Sequence, residues 1–155
     1  MKKLSISILC LIAAGQLLFA KALPASNDPA MQEKADKQMQ LQNSEVINAA
    51  IEAYGKNLPQ KIDKYTTFTK VHADGLTLIR TYEINTGAKS DEAVRAEDKS
   101  RMKEAIFYGV CTTSKRFLDS NINLTYLYLS AKSKEELFRF EITPKKCANI
   151  WAGLK

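Results

Sequence analysis

Residues 90–147 read SDEAVRAEDKSRMKEAIFYGVCTTSKRFLDSNINLTYLYLSAKSKEELFRFEITPKKC, and this stretch decides the fold that the sequence predicts. Its first half has an apolar residue at every third or fourth position, which predicts a helix running through Cys111. Two apolar runs follow, residues 122–129 and 137–142, and both are typical of strands. The stretch ends at Cys147, which can tie the last strand back to the helix.

Cys111 and Cys147 are the two cysteines outside the N-terminal apolar run. In an exported chain an even pair predicts a disulfide, whereas a reducing compartment would leave two separate buried thiols. Closing this loop of 36 residues would disfavour the unfolded chain by roughly 3.8 kcal/mol. The third cysteine, Cys10, is interpreted as part of the leader; lipidation is disfavoured because Leu9, and not a small residue, precedes it.

The N-terminus has the composition of an export signal. Lys2 and Lys3 precede an apolar run over residues 4–20, and small residues follow at Ala20 and Ala22. This pattern predicts a signal peptide over residues 1–22 and a periplasmic or secreted mature protein. A retained anchor is the alternative, but the run is at the lower limit for a membrane span. We therefore expect no integral membrane segment in the mature chain.

Charge argues against a nucleic-acid partner. The chain carries 23 Lys and Arg against 17 Asp and Glu, and removal of residues 1–22 would take away three lysines and lower the net charge from +6 to +3. The remaining basic residues alternate with acids, whereas nucleic-acid binders usually show a clustered basic face. A solvated surface is the better interpretation, with at most a weak attraction to anionic envelope surfaces.

The remainder predicts one domain over residues 44–155, preceded by a polar tether or frayed helix over residues 23–43. Asp28 and Pro29 are typical of a helix start, and the spacing of apolar residues predicts a second helix from Ser44 to Gly55. Strands are predicted over 65–71 and 76–84, joined by an Asp-Gly turn. The order indicates a two-layer α+β domain with a four-stranded antiparallel sheet of two hairpins, helices mainly on one face, and one disulfide.

The third predicted strand has large side chains on both faces, Tyr126 and Tyr128 on one and Leu127 and Leu129 on the other. Such a strand is either covered twice or faces a partner. Tyrosines are favoured at interfaces because they join an apolar ring to a polar tip. The candidate partner-binding residues are therefore the aromatic set of the predicted sheet, with core packing as the default alternative: Tyr82, Tyr126, Tyr128, Phe138 and Phe140.

The residues do not form a recognisable catalytic or metal-binding set. His72 is the only histidine, and one histidine with an oxidised cysteine pair cannot supply a zinc site. We therefore predict no catalytic residues, metal or cofactor, and a non-enzymatic periplasmic module of the inhibitor, immunity or envelope-complex type. It would bind another envelope protein or itself. The alternatives are an envelope hydrolase using carboxylates such as Asp63 or Glu83, and a carrier of a small apolar ligand.

Several positions together resemble a group of small exported proteins of Gram-negative bacteria, most of them uncharacterised. The shared pattern comprises Leu58-Pro59, Ile62-Asp63, a Thr at 66 or 67, Gly75, Tyr82, Cys111, Leu118, Leu124-x-Tyr126-x-Tyr128, and the run from Ile142 to Cys147. The chain departs from it with Arg80 in place of a second aromatic residue and with Asn121 where a glycine often opens the third strand. The resemblance implies a periplasmic location and a disulfide, and it implies no activity.

Overall fold

The computed structural model describes residues 28–153, so the predicted signal peptide and Cys10 lie outside the described residues. The helices and strands follow one another in this order: α1 (Pro29–Gly55), β1 (Gln60–Lys61), β2 (Thr66–Asp74), β3 (Thr77–Ile84), α2 (Asp91–Thr113), α3 (Lys115–Asp119), β4 (Asn123–Ser130), β5 (Glu136–Ile142) and α4 (Pro144–Ala152). The protein is an α+β fold with one sheet.

Helix α1 begins at the Asp28-Pro29 pair that the sequence indicates. The Asp28 carboxylate accepts a hydrogen bond from the Ala30 amide at 3.0 Å, which satisfies one of the unpaired donors of the first turn. Residues 28–42 are all exposed, and burial begins at Asn43. The Asn43 side chain donates to the Ser120 carbonyl at 2.6 Å, after the end of α3. Residues 29–55 thus form one continuous helix, of which the second half packs on the domain.

The sheet has five strands in the order β1-β2-β3-β4-β5. Strands β2 and β3 pair antiparallel, as do β4 and β5, but β3 and β4 pair parallel. The prediction of four antiparallel strands is therefore wrong in two respects. Helices α2 and α3 connect β3 to β4, and such a crossover returns the chain to the same end of the sheet. The fifth strand, β1, has only two residues and leaves no periodic signal.

Two residues with left-handed backbones shape the chain around the central strands. Gly75, with φ +54°, is the first of the two residues between β2 and β3, where a type II′ turn places glycine. Asn121 has φ +58° just before β4. Asparagine is one of the few side chains that tolerate this conformation, which accounts for its presence where a glycine is expected.

The disulfide joins Cys111 of α2 to Cys147 of α4, with 5.5 Å between the Cα atoms and both residues fully buried. The predicted pairing is therefore present. Helix α4, which begins at Pro144, was not among the predicted elements. Proline is also favoured in the first turn of a helix, and here the Thr143 hydroxyl caps that turn. The Trp151 indole donates to the Cys111 carbonyl at 2.8 Å and holds α4 against α2.

Candidate functional site

Aromatic side chains from four strands meet on the face of the sheet that the helices cover. The register aligns Phe68, Tyr82, Tyr128 and Phe138 across the sheet in one row. In the next row it aligns Arg80, Tyr126 and Phe140. Side chains of one parity share a face, and directly opposed side chains on neighbouring strands make contact. We call these seven side chains, together with Tyr54 of α1, the aromatic cluster.

Tyr82 is at the centre of the cluster. Its ring is stacked on that of Phe68 with centroids 4.8 Å apart, on Tyr128 at 5.0 Å, and on Tyr126 at 5.8 Å. Aromatic pairs at these separations contribute about 0.5–1.5 kcal/mol each beyond the apolar area that they bury. Because Tyr54 contacts Phe68 edge to face at 6.3 Å, the cluster also fixes the last turns of α1 on the sheet.

The helices bury most of this face. Helix α1 packs on β2, α2 on β5 and α3 on β4, and on the inner strands Leu78, Tyr126 and Tyr128 are buried. By contrast, Tyr82 and Arg80, both on β3, are only half-buried, and Tyr54 remains exposed at the edge of α1. The cluster therefore keeps exposed surface at Tyr54, Arg80 and Tyr82 only, and its other side chains are buried.

The candidate partner-binding residues all lie in the aromatic cluster, at different depths. Tyr126 and Tyr128 are 8% exposed, Phe140 is 4% and Phe138 is 2%. These four side chains are chiefly core residues, so core packing, the default alternative, accounts for most of the surface of their rings. Tyr82 keeps more exposed surface than any of them. Contact of the five residues with a partner remains a prediction.

Arg80 belongs to the aromatic cluster but is not one of the candidate partner-binding residues. Its guanidinium lies 4.4 Å from the ring centroid of Tyr54 and 5.6 Å from that of Tyr126, and Nη1 donates to the Tyr126 hydroxyl at 3.0 Å. The sequence indicated Arg80 as unusual, because it places a permanent charge among the apolar side chains on one face of a predicted strand. Such a position needs a specific partner for the charge, and here aromatic faces and a phenol surround it.

Burial raises the pKa of the tyrosine hydroxyls in the cluster. It raises the pKa of Tyr82 to about 12 and that of Tyr128 further above the ordinary value of 10. It also raises the pKa of Tyr126, although the charge of Arg80 opposes the change. The three phenols are therefore neutral at physiological pH and act as hydrogen-bond donors and acceptors, not as bases.

The opposite face of the sheet is polar at its edges, and at its centre the buried threonines Thr81 and Thr125 lie among apolar side chains. Ile79, Leu127 and Leu129 are half-exposed there. A depression of about 300 Å³ opens on this face, with Arg139 and Glu141 in its lining. Strand β4 is thus central in the sheet, and its leucine face is the more open of the two.

The acids proposed for the hydrolase alternative are engaged in structural contacts. The Asp63 carboxylate accepts hydrogen bonds from the amides of Tyr65 at 2.7 Å and Thr66 at 2.8 Å, and these bonds lower its pKa. Glu83 pairs with Lys134 at 2.8 Å on the opposite face. A general acid needs a raised pKa, so Asp63 is poorly suited to that role.

His72 lies within β2, half-buried, and burial lowers the pKa of its imidazole. Within residues 28–153, no three His, Cys, Asp or Glu side chains are grouped so that they could hold a metal ion. In the same part of the chain, no helix combines the length and the apolar character needed to cross a membrane.

No protein-family model matches this chain, and no characterised protein matches it in sequence. Its fold is similar to that of a candidate secreted protein from Pseudomonas aeruginosa, with a TM-score of 0.62, 15% identity, and coverage of 70% of this chain and 96% of the other. It is also similar to the type II secretion system pilotin AspS from Vibrio cholerae, with a TM-score of 0.53, 14% identity, and coverage of 73% and 99%. Identities this low establish a common fold alone.

Proposed function

We propose that this chain is a non-enzymatic accessory module of the cell envelope that binds another envelope protein. The observation that carries the proposal is the exposed surface that Tyr82, Arg80 and Tyr54 keep at the margin of the aromatic cluster. Aromatic and arginine side chains are enriched at the energetic centres of protein interfaces. Within residues 28–153, no acidic side chain pairs with Arg80, and Tyr82 beside it keeps part of its ring exposed.

The likeness in fold to a secretion-system pilotin favours the envelope-complex type over an inhibitor or immunity protein. It is a likeness of folds and not of sequences, so the proposal rests first on the aromatic cluster. The carrier alternative is less well supported, because the rings of the cluster pack directly on one another where a bound apolar molecule would have to lie.

Export is the second part of the proposal. The Cys111–Cys147 disulfide supports it, because structural disulfides form and persist in oxidising compartments. The predicted leader over residues 1–22 and the likeness to a candidate secreted protein agree with a periplasmic or secreted location. Fractionation of native cells, with N-terminal sequencing of the purified chain, tests this part. A full-length, cytoplasmic chain with free thiols would contradict it.

Site-specific photocrosslinking in native cells tests the binding function. The crosslinker p-benzoylphenylalanine replaces Tyr54, at the edge of the aromatic cluster, or Leu127, on the opposite face. Tyr108 is the matched control, because it is an aromatic residue 60% exposed on α2. We expect one discrete adduct with an envelope protein through position 54 and none through position 108.

The outcomes distinguish the possible interfaces. An adduct through position 127 alone would move the interface to the opposite face of the sheet. An adduct between two copies of this chain, with a dimer by light scattering, would replace the envelope partner with self-association. Identical adducts at all three positions, or none, would contradict the proposal.

A further inference from the structure

We infer that Arg80 recognises a carboxylate group carried by the partner polypeptide. This inference rests on the proposed function and names the chemistry of the partner at the aromatic cluster. It begins with the guanidinium itself, whose three nitrogen atoms have three different environments. Nη1 donates to the Tyr126 hydroxyl, and Nε is enclosed and has no acceptor within residues 28–153. Nη2 makes no hydrogen bond within 3.5 Å in that part of the chain, although the Tyr82 hydroxyl lies near enough to the guanidinium to raise its pKa.

The charge of Arg80 has no acidic partner in residues 28–153. Among the described residues, no carboxylate oxygen lies within 4.0 Å of it, whereas other arginines have one: Arg95 pairs with Glu135 at 3.3 Å and Arg139 with Glu136 at 2.8 Å. The charge of Asp63 helps to raise the pKa of Tyr128, but the Asp63 carboxylate accepts hydrogen bonds from two backbone amides of its own loop. A half-buried cation without a counter-charge is costly, so an acidic group from outside would be bound favourably.

The surroundings of Arg80 add polar groups and apolar walls. The Tyr82 hydroxyl lies next to the guanidinium. The Tyr128 hydroxyl has no hydrogen-bond partner among residues 28–153, and the residue is 8% exposed. Because both phenols are neutral, they can donate to a carboxylate oxygen while Nη2 donates to the same group. The rings of Tyr54 and Tyr82 flank this opening and can pack on apolar residues beside the acid.

A planar guanidinium matches a carboxylate in shape as well as in charge, and this match predicts which substitutions matter. Arg80→Gln removes the charge at similar length. Arg80→Lys keeps the charge without the planar fork. Arg116→Gln is the matched control, because Arg116 is an exposed arginine on α3 whose side chain has no hydrogen bond or ion pair among the described residues.

The probe is an array of nine-residue peptides of mixed Leu, Ala and Ser sequence, bound to the full chain purified from its native compartment. Each peptide is made with one glutamate, with glutamine in its place, and with phosphoserine in its place. All have amidated C-termini, and a fourth version has glutamine with a free C-terminal carboxylate. We expect the tightest peptides to prefer glutamate over glutamine by at least about tenfold, since charge-assisted pairs contribute this much.

Arg80→Gln is expected to abolish the preference for glutamate, Arg80→Lys to reduce it, and Arg116→Gln to leave it unchanged. Circular dichroism and thermal unfolding establish that each variant is folded. If Arg80→Gln does not fold, Arg80→Lys alone tests the inference. A preference confined to the fourth version would assign the recognised group to a chain terminus, still a carboxylate at Arg80. Equal binding of the glutamate and glutamine versions, or tighter binding of phosphoserine alone, would overturn the inference. So would an array without any bound peptide. If the photocrosslinking experiment still gave a discrete adduct through position 54, the proposed function would stand and only the role of Arg80 would be refuted.

Discussion

Breaking the Cys111–Cys147 bond should remove a large share of the stability of this domain. The bond closes a loop of 36 residues, and the chain-entropy relation gives a stabilisation of about 3.8 kcal/mol for that length. Domains of this size have total stabilities of about 5–15 kcal/mol. We therefore expect the reduced protein to stay folded at neutral pH and 25 °C but to unfold at a much lower concentration of urea.

Equilibrium unfolding in urea measures the difference, followed by circular dichroism and by the fluorescence of Trp151, the single tryptophan. Three samples are compared: the oxidised chain, the reduced chain, and the Cys111→Ala/Cys147→Ala double variant. The reduced chain isolates the effect of the bond, because both sulfur atoms remain in place. The double variant adds the loss of two fully buried sulfur atoms, so it should be less stable than the reduced chain.

The slope of free energy against urea should also rise on reduction, because an unfolded chain without the loop exposes more surface. A difference below about 1 kcal/mol between the oxidised and reduced chains would refute this reasoning. It would mean that residual structure in the unfolded chain already holds the two reduced cysteines near one another, so that the bond adds little further constraint.

Three further outcomes follow from contacts described above. Phe138→Ala removes a ring that is 2% exposed and should lower the free energy of unfolding by about 3–5 kcal/mol, whereas Tyr108→Ala, at a ring 60% exposed, should change it by less than about 0.5 kcal/mol in the same urea assay. Asn43→Ala removes the donor to the Ser120 carbonyl and should cost about 1–2 kcal/mol, with faster amide exchange in α1; unchanged exchange would contradict that tie. The raised pKa of Tyr82, about 12, means that the unfolded chain releases this proton first, so stability should fall as pH rises from about 10 to 12. Tyr82→Phe should remove that part of the pH dependence, and an unchanged profile would assign it elsewhere.

Alternation along the chain was sufficient to predict which side chains share a face. The parity of Phe138, Phe140 and Ile142 placed them on the buried side of β5, and the structure agrees. Parity does not identify the neighbour of a strand, and this is why the parallel pairing of β3 with β4 was missed. The long helical crossover from Asn85 to Ile122 was the available signal, since sheet neighbours joined by such a connection are parallel.

The candidate site was predictable only in its composition. The sequence pointed to Tyr82 and Tyr126 as members of an aromatic set, and the structure places them in one stack. It gave no sign that Tyr82 would keep more exposed surface than Tyr126, because the coverage of a sheet by helices depends on packing angles and not on local patterns. Arg80 was visible as a charge on an apolar parity, but the Tyr54 ring that lies against it comes from a helix 26 residues earlier.

The position of the sulfur bridge has a consequence for limited proteolysis. The bridge encloses α3, β4 and β5, whereas α1 and the first three strands precede it. A single protease cut in the exposed loop at Gly87 would therefore yield two fragments without a covalent link, which separate on a non-reducing denaturing gel. A cut at the turn before β5 would yield fragments that stay joined until reductant is added. Under native conditions the first pair would remain associated through the ladder of β3 with β4, so that loop is where the chain could be divided into two complementing polypeptides.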